Sequence, residues 1–412
     1  MKVALTGKKG IPAQILIAFV LSIVVGSMYP SFAKSLKPLG DIFITLIKMI
    51  IVPVIFCTIT TGIAGMGDMK KLKRVGTKML VVYVGMTFFA CVIGLGVGYM
   101  VRPGMGVTMQ EAQSFTQAIK TPGVGDFLLM MMPSSFVGAL AKGDIVQVLV
   151  LGLFVGISLV GLGNRASAVK ELLEQGSAIS FYIVDIVMLY SPIGVFALMA
   201  NAVASYGISL FGAMMKYIFA EYLAALIIVV LLFILPLILY AKINISKASK
   251  DISTVFIMAI STCSSAATLP LSMETATHKF KLPQWLVDFC LPLGGTVNST
   301  GAGMYKAILI VFAADFYGLT LGIEQMIVTV LISTMLSVAA PGIPGGGIVM
   351  SAIMMSLMGL PYEVVGMLAG IYRVVDMLHT PLNVIGDIVG AILIGKSEDV
   401  WSNEKYVKES EV

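Results

Sequence analysis

The stretch Asp376–Asp387, DMLHTPLNVIGD, sets the reading of this chain. It lies inside a long apolar run, VVGMLAGIYRVVDMLHTPLNVIGDIVGAILIG, residues 364–395. Asp376, His379 or Thr380, Asn383 and Asp387 recur at spacings of three or four. On a helix turning about 100° per residue they form one polar stripe. A carboxylate at the centre of a bilayer costs about 3 kcal/mol or more unless it faces a cavity or a partner. A lone asparagine there is explained by hydrogen bonding between neighbouring helices. Two aspartates with an amide between them call for a lined polar site.

Composition agrees with a membrane setting. The chain has 412 residues, 58% hydrophobic and only 12% charged, with a mean hydropathy of +0.98. A soluble domain is about 45–50% apolar and about 25% charged. The apolar segments recur along the whole length, which reads as an integral membrane protein with many spans. The net charge of +5 is no nucleic-acid footprint, because the lysines cluster in short loops where they set orientation. Cys57, Cys91, Cys263 and Cys290 lack the paired spacing of a zinc site or a disulfide framework and read as small hydrophobes. The opening MKVALTGKKGIPAQILIAFVLSIVVGSMYP has an apolar run long for a signal peptide, with no A-x-A site closely after it, and reads as a retained first helix.

Apolar runs predict helices at about 11–30, 39–66, 76–101, 127–163, 175–203 and 211–242, the fourth broken by MPSS and AKGD. The last third changes character. Residues 250–277 are apolar, then serine-rich, then apolar, each half too short to span, which predicts a re-entrant hairpin. Residues 284–313 form a span interrupted by GGTVNSTGAG. Residues 322–357 form a second hairpin around AAPGIPGGG, and 361–395 the last span. Irregular backbone at membrane depth is tolerated only where protein buries it or where it lines a wet cavity. Paired hairpins and broken helices are the mark of transporters built from inverted repeats. With Lys2, Lys8 and Lys9 inside, the next inner loop carries Lys70, Lys71, Lys73, Arg74 and Lys78. Outer loops carry only Lys34, Lys37, Arg102 and Lys120, so eight spans plus two hairpins satisfy the positive-inside rule. The tail KSEDVWSNEKYVKESEV is polar and is expected to be loosely ordered.

Three further stretches carry chemistry. Unwinding within LPLGGTVNSTGAGMYK, residues 291–306, frees backbone carbonyls suited to Na+, and Asn298, Asn383 and Asp387 can complete such a site. STCSSAATLP, residues 261–270, offers hydroxyls and backbone NH groups at a helix start, a cradle for a carboxylate. APGIPGGG, residues 340–347, permits hinging and close backbone approach, against the alternative of a plain loop.

The order SSAATLP, LPLGGTVNSTGAGMY, PGIPGGG and DMLHTPLNVIGD resembles the dicarboxylate/amino acid:cation symporters, the glutamate transporter family, over essentially the whole chain. The resemblance implies an all-α membrane protein with an elevator fold, inverted repeats and a homotrimeric assembly in the cell (inner) membrane, both termini cytoplasmic. Scaffold helices would occupy 1–75 and 124–203, and a moving transport unit 76–103 and 211–395, followed by a cytoplasmic tail, 396–412. It implies that Asp376 binds the substrate amino group and that Thr380 and Asn383 contact the substrate. Ser264 and Ser265 would hold the α-carboxylate, with His379, Ile343 and Gly347 also on the substrate side. Gly294, Asn298, Asn383 and Asp387 match one sodium site. Backbone oxygens of Thr296, Ser337, Val338 and Ala340 match a second, closed by the second hairpin.

Departures from the family pattern narrow the expectation. The family's NMDGT reads NSTGA at Asn298–Ala302, so Thr300 stands where a sodium-binding aspartate is expected. Tyr83 and Thr87 partly match that third site, but Met86 replaces a hydroxyl. Without an anionic ligand a cation there loses its charge compensation. His379 replaces the arginine of acidic-substrate members, Cys263 an alternative arginine and Tyr372 an aspartate. Arg373 lies one turn before Asp376, fit either to compensate or to pair with a neighbouring acid. Lys306, where relatives carry Gln or a proton-carrying Glu, is either an internal cation or a snorkelling side chain. The sequence thus favours a symporter for a neutral or polar amino acid, with Na+ ahead of H+ as coupling ion. The alternative is an acidic amino acid or dicarboxylate, with H+ coupling. A channel would not need Asp376 opposite a gated tip. No constellation of paired acids, metal ligands or Ser-His supports an enzyme.

Overall fold

A chain this apolar must satisfy its backbone hydrogen bonds within each segment, which favours helices over open sheets. The computed structural model describes residues 11–64, 69–106, 132–143, 145–206, 209–338, 346–403 and 406, and among them all regular structure is helical. Helix α1 spans Ile11–Met28, α2 Pro30–Ser35, α3 Lys37–Ala64 and α4 Met69–Val101. The fourth apolar run is indeed in pieces, α5 (Phe136–Lys142) and α6 (Ile145–Leu162). Ser135 caps α5 by accepting from the Gly138 amide at 3.1 Å, and Gly143 ends it at φ 67°. Helix α7 spans Ser167–Tyr206, and α8 (Ser209–Ile228) continues through a π turn into α9 (Leu235–Leu239).

A helix–turn–helix unit follows. Helix α10 (Ile245–Thr262) stops at Cys263, whose φ is 48°, and α11 (Ser265–Glu274) restarts under the Ser264 cap. Helices α12 (Gln284–Val297) and α13 (Thr300–Phe316) form one broken rod. Helices α14 (Ile323–Val338) and α15 (Gly346–Leu357) come next, and Ala340 and Ile343, between them in sequence, lie outside the described residues. Helix α16 spans Glu363–Ser397. Hydropathy alone places several helix starts too late: α4 begins at Met69 and α7 at Ser167, because Lys, Arg and Glu prolong a helix beyond its apolar run.

Five helical stretches among the described residues are long and apolar enough to cross a membrane, in regions 74–101, 150–180, 210–239, 284–316 and 363–397. Their burial separates them: 94% of the 284–316 window and 72% of the 363–397 window are inside the protein, against 28% for 210–239. The polar-interrupted helices are therefore the centre, and the uniformly apolar ones form the rim. Helices α1, α3 and α6 pack on α7 or on one another, while α4, α10, α12 and α13 gather around α16.

The tail corrects one expectation. Trp401 and Tyr406 are buried, and Tyr406 stacks on Phe280 with centroids 5.5 Å apart. Trp401 Nε1 donates to the Phe280 carbonyl at 2.6 Å, and Tyr406 OH to Asp251 at 2.6 Å. Two aromatic side chains inside a polar segment are what hold it down. Just before them, Glu398 pairs with Arg74 and Lys78 of α4. The Lys78 ammonium, foremost, and the Arg74 guanidinium hold the Glu398 carboxyl below its ordinary value of 4.5. A carboxylate so depressed stabilises the fold above that value and loses its contribution as pH falls through the lower folded value. Glu398→Gln is expected to lower thermal stability near neutral pH by under about 1 kcal/mol. Its melting temperature should then fall less than wild type's on acidification below 4.5, as read by thermal melts in detergent.

Candidate solute and cation site

The rod α12–α13 breaks at Asn298 and Ser299. Asn298 is extended (φ −94°, ψ 103°), and Ser299 follows at φ −127°, ψ 57°. The break turns polar groups of α12–α13 onto the stripe of α16. Asn298 Nδ2 donates to Asp387 Oδ1 at 2.9 Å and to the Asn383 carbonyl at 3.1 Å. Thr300 Oγ1 donates to Asn298 Oδ1 at 2.7 Å, and the Gly301 amide to Asn383 Oδ1 at 2.8 Å. Tyr83 OH of α4 donates to the Asp387 carbonyl at 2.8 Å, and Thr87 Oγ1 accepts from the Ser299 amide at 3.3 Å. Two glycines make this approach feasible. A Cβ at Gly301 would lie 2.6 Å from the His379 backbone, and one at Gly294 would lie 2.7 Å from Asp387 Oδ1.

Gly294, Asn298, Asn383 and Asp387, expected together, are thus in one place, an oxygen-rich cluster with, among the described residues, one buried carboxylate. The second expected cation site is only partly described. Thr296 is exposed, and its hydroxyl donates to the Leu293 carbonyl at 2.8 Å. Ser337 is buried near the end of α14, and Val338 closes that helix. Lys306 reaches the same place: its Nζ donates to the Ala302 carbonyl at 2.9 Å and to Ser337 Oγ at 3.1 Å. It is 1% exposed, and no carboxylate among the described residues lies within ion-pair distance of it. The ammonium therefore faces neutral oxygens, not a snorkelling path to water.

At the other end of the stripe, Asp376 is buried and accepts from Tyr372 OH at 3.3 Å. Tyr372 also bounds Gly347 of α15, where an added Cβ would collide with its hydroxyl. The first tip lies nearby: Ser264 Oγ accepts from the Ala267 amide at 3.2 Å, and Ser265 is buried beside it. Arg373 Nη2 donates to the Ser261 carbonyl at 3.3 Å, which lays the guanidinium along that tip. Cys263 of the tip is within electrostatic reach of both Asp376 and Arg373. Thr380 is buried on the stripe between them and Asn383.

His379 differs from expectation. Its Nε2 lies 3.2 Å from Glu221 Oε2 on α8, and its ring stacks on Tyr305 with centroids 4.9 Å apart. Helical geometry explains the split, because Arg373 and His379 flank the stripe on opposite sides, about 120° apart. One flank meets the first tip, the other α8. Glu221 was missed in the sequence, although a single carboxylate in the apolar α8 was a legible signal. Tyr305, with its hydroxyl on the Gly347 carbonyl at 2.5 Å, was missed too. The opposite face of α16, with Leu382, Ile385 and Ile388, borders an apolar cavity of about 520 Å³ lined also by Phe233 and Leu237, apart from this polar chemistry.

Comparison with known proteins agrees with the geometry. Residues 11–397 match the profile of the sodium:dicarboxylate symporter family. A proton/glutamate-aspartate symporter of Bacillus subtilis is 32% identical over 409 residues, 97% of this chain and 98% of its own length. A C4-dicarboxylate transport protein of Cupriavidus pinatubonensis is 34% identical over 400 residues, 95% and 91% of the two chains. A proton/sodium-glutamate symport protein of Geobacillus stearothermophilus is 30% identical over 97% of each chain. A match from the first helix to the last, around a polar core built by a broken rod and a striped helix, makes this chain a member of the sodium:dicarboxylate symporter family, a family of cation-coupled secondary transporters and not of enzymes.

Proposed function

We propose that the protein is a secondary active symporter carrying an acidic amino acid, with Na+ bound at the Asn298–Asp387 pocket. The observation that carries this reading is Asp376, a buried carboxylate next to a tip along which Arg373 is laid. A carboxylate suits the solute ammonium. The start of α11 with Ser264 and Ser265 suits the α-carboxylate, and the Arg373 guanidinium suits the side-chain carboxylate. Thr380, Asn383, Ile343 and Gly347 complete the solute side. A neutral solute was favoured because His379, and with it Cys263, stand in place of arginines. Arg373, laid along the first tip, can take the place of the missing arginine, and the relatives' names, glutamate, aspartate and C4-dicarboxylates, favour an acidic solute. A C4-dicarboxylate is the second reading, supported by the relative at 34% identity.

In this reading eight spans and two re-entrant hairpins form a homotrimer in the inner membrane, with cytoplasmic termini. Scaffold segments 1–75 and 124–203 hold the trimer, and 76–103 with 211–395 move as an elevator gated by the second hairpin. Thr296, Ser337, Val338 and Ala340 form the gated cation site, beside which Lys306 supplies the charge that Thr300 no longer attracts. The test is counterflow in proteoliposomes preloaded with aspartate, glutamate, succinate or serine. Labelled aspartate should accumulate against aspartate and glutamate, more weakly against succinate, and not against serine. Strongest exchange with serine returns the neutral solute; flux without saturation or counterflow makes the protein a channel.

A further inference from the structure

Glu221 and His379 form a second polar centre that solute binding and the oxygen pocket leave unused. Glu221 is 0% and His379 2% exposed, and Oε2 faces Nε2 at 3.2 Å. His379 Nδ1 has no hydrogen-bond partner among the described residues, and the buried hydroxyl of Tyr217, one turn earlier on α8, lies beside the Glu221 carboxylate. From α13, Tyr305 covers the imidazole, and the Lys306 ammonium lies 5.6 Å from the centroid of the Tyr305 ring. From α16 itself, Tyr372 stands edge-on at 6.4 Å and donates to Asp376, whose carboxylate is within electrostatic reach of both His379 and Arg373. From α15, Ser351 and the Gly347 carbonyl meet the Tyr305 hydroxyl.

We propose that the Glu221–His379 pair is the binding site of a co-transported proton. The inference rests on the symporter reading. With one proton between Oε2 and Nε2 the pair is neutral overall, whether written as acid and imidazole or as carboxylate and imidazolium. Without that proton the pair carries a net negative charge in a buried place, where no other cation among the described residues touches it. Such a charge is costly to bury and to carry across a bilayer. That cost favours the proton-bound form while the solute-loaded site is sealed, and co-transport requires the pair to release the proton with the solute and to return without it. The link to the gate is Tyr305, which stacks on His379 and whose hydroxyl donates to the first turn of α15 at the second hairpin.

The test uses the full chain in proteoliposomes with equal Na+ on both sides. An outside-acid pH gradient alone should drive accumulation of the counterflow solute by wild type. In Glu221→Gln, which fixes a proton-loaded shape, that accumulation should be lost while counterflow stays within about twofold of wild type. Undiminished gradient-driven accumulation by Glu221→Gln overturns the proposal. Should the variant lose counterflow as well, wild type decides: solute added to the detergent-solubilised protein in weak buffer should take up about one proton per chain, read with a pH dye. No uptake overturns the proposal. Absence of counterflow in wild type would instead overturn the symporter reading, so the two failures are distinct.

Discussion

Replacing Asp376 with Asn is expected to cut aspartate uptake by about 30- to 1,000-fold and to leave succinate uptake nearly unchanged. The two solutes differ only in the α-amino group. Truncating one partner of a buried charge pair costs about 2–4 kcal/mol, and each 1.4 kcal/mol is about tenfold. Asparagine keeps the shape of the side chain and an oxygen that still accepts from Tyr372, so the fold around the stripe is not at stake. Comparing the two solutes in one variant also cancels losses from expression or folding. Parallel loss of both would remove the amino-group role of Asp376. Strong succinate uptake by wild type, untouched by the substitution, would move the assignment to a dicarboxylate.

Asp387→Asn should have an effect of similar size on the ion and not on the solute. Asp387 is the single carboxylate of the pocket formed with Gly294, Asn298 and Asn383. Losing a group that only orients a metal ligand already costs about 10- to 100-fold in affinity, so losing the charged ligand should raise half-saturating Na+ by about 100-fold or more. The amide oxygen introduced by this substitution still accepts from Asn298, and the bond from Tyr83 goes to the main-chain carbonyl, so both packing contacts survive. Two measurements check this: uptake against Na+ with choline as replacement, and the rise in melting temperature that bound Na+ produces. Unchanged Na+ dependence in both would take the ion away from this pocket.

Periodicity made the α16 stripe legible, because three- and four-residue spacing fixes which side chains share a face. The break at Asn298 and the Ser264 tip were legible for a related reason, since glycines and hydroxyls inside an apolar run oppose a continuous helix. Periodicity does not say which neighbour each flank of a face will meet. His379 shares the stripe, yet its partner lies 158 residues away in sequence on α8, a distance over which no local rule operates. Arg373 and Lys306 posed the same difficulty. Each was recognisable as a charge in the wrong solvent, but only packing shows that one lies along the first tip and the other points at Ser337. The tail was misjudged because its polar average hides two aromatic side chains that find a ready groove.

That docked tail also imposes an order on biogenesis. Trp401 bonds a carbonyl 121 residues upstream, and Tyr406 a carboxylate 155 residues upstream. At about 5–20 residues per second, roughly 6–24 s separate synthesis of Phe280 from arrival of the side chain that closes over it. During that interval the groove at Phe280 stands open, and the insertion machinery holds a transporter whose latch has yet to be made.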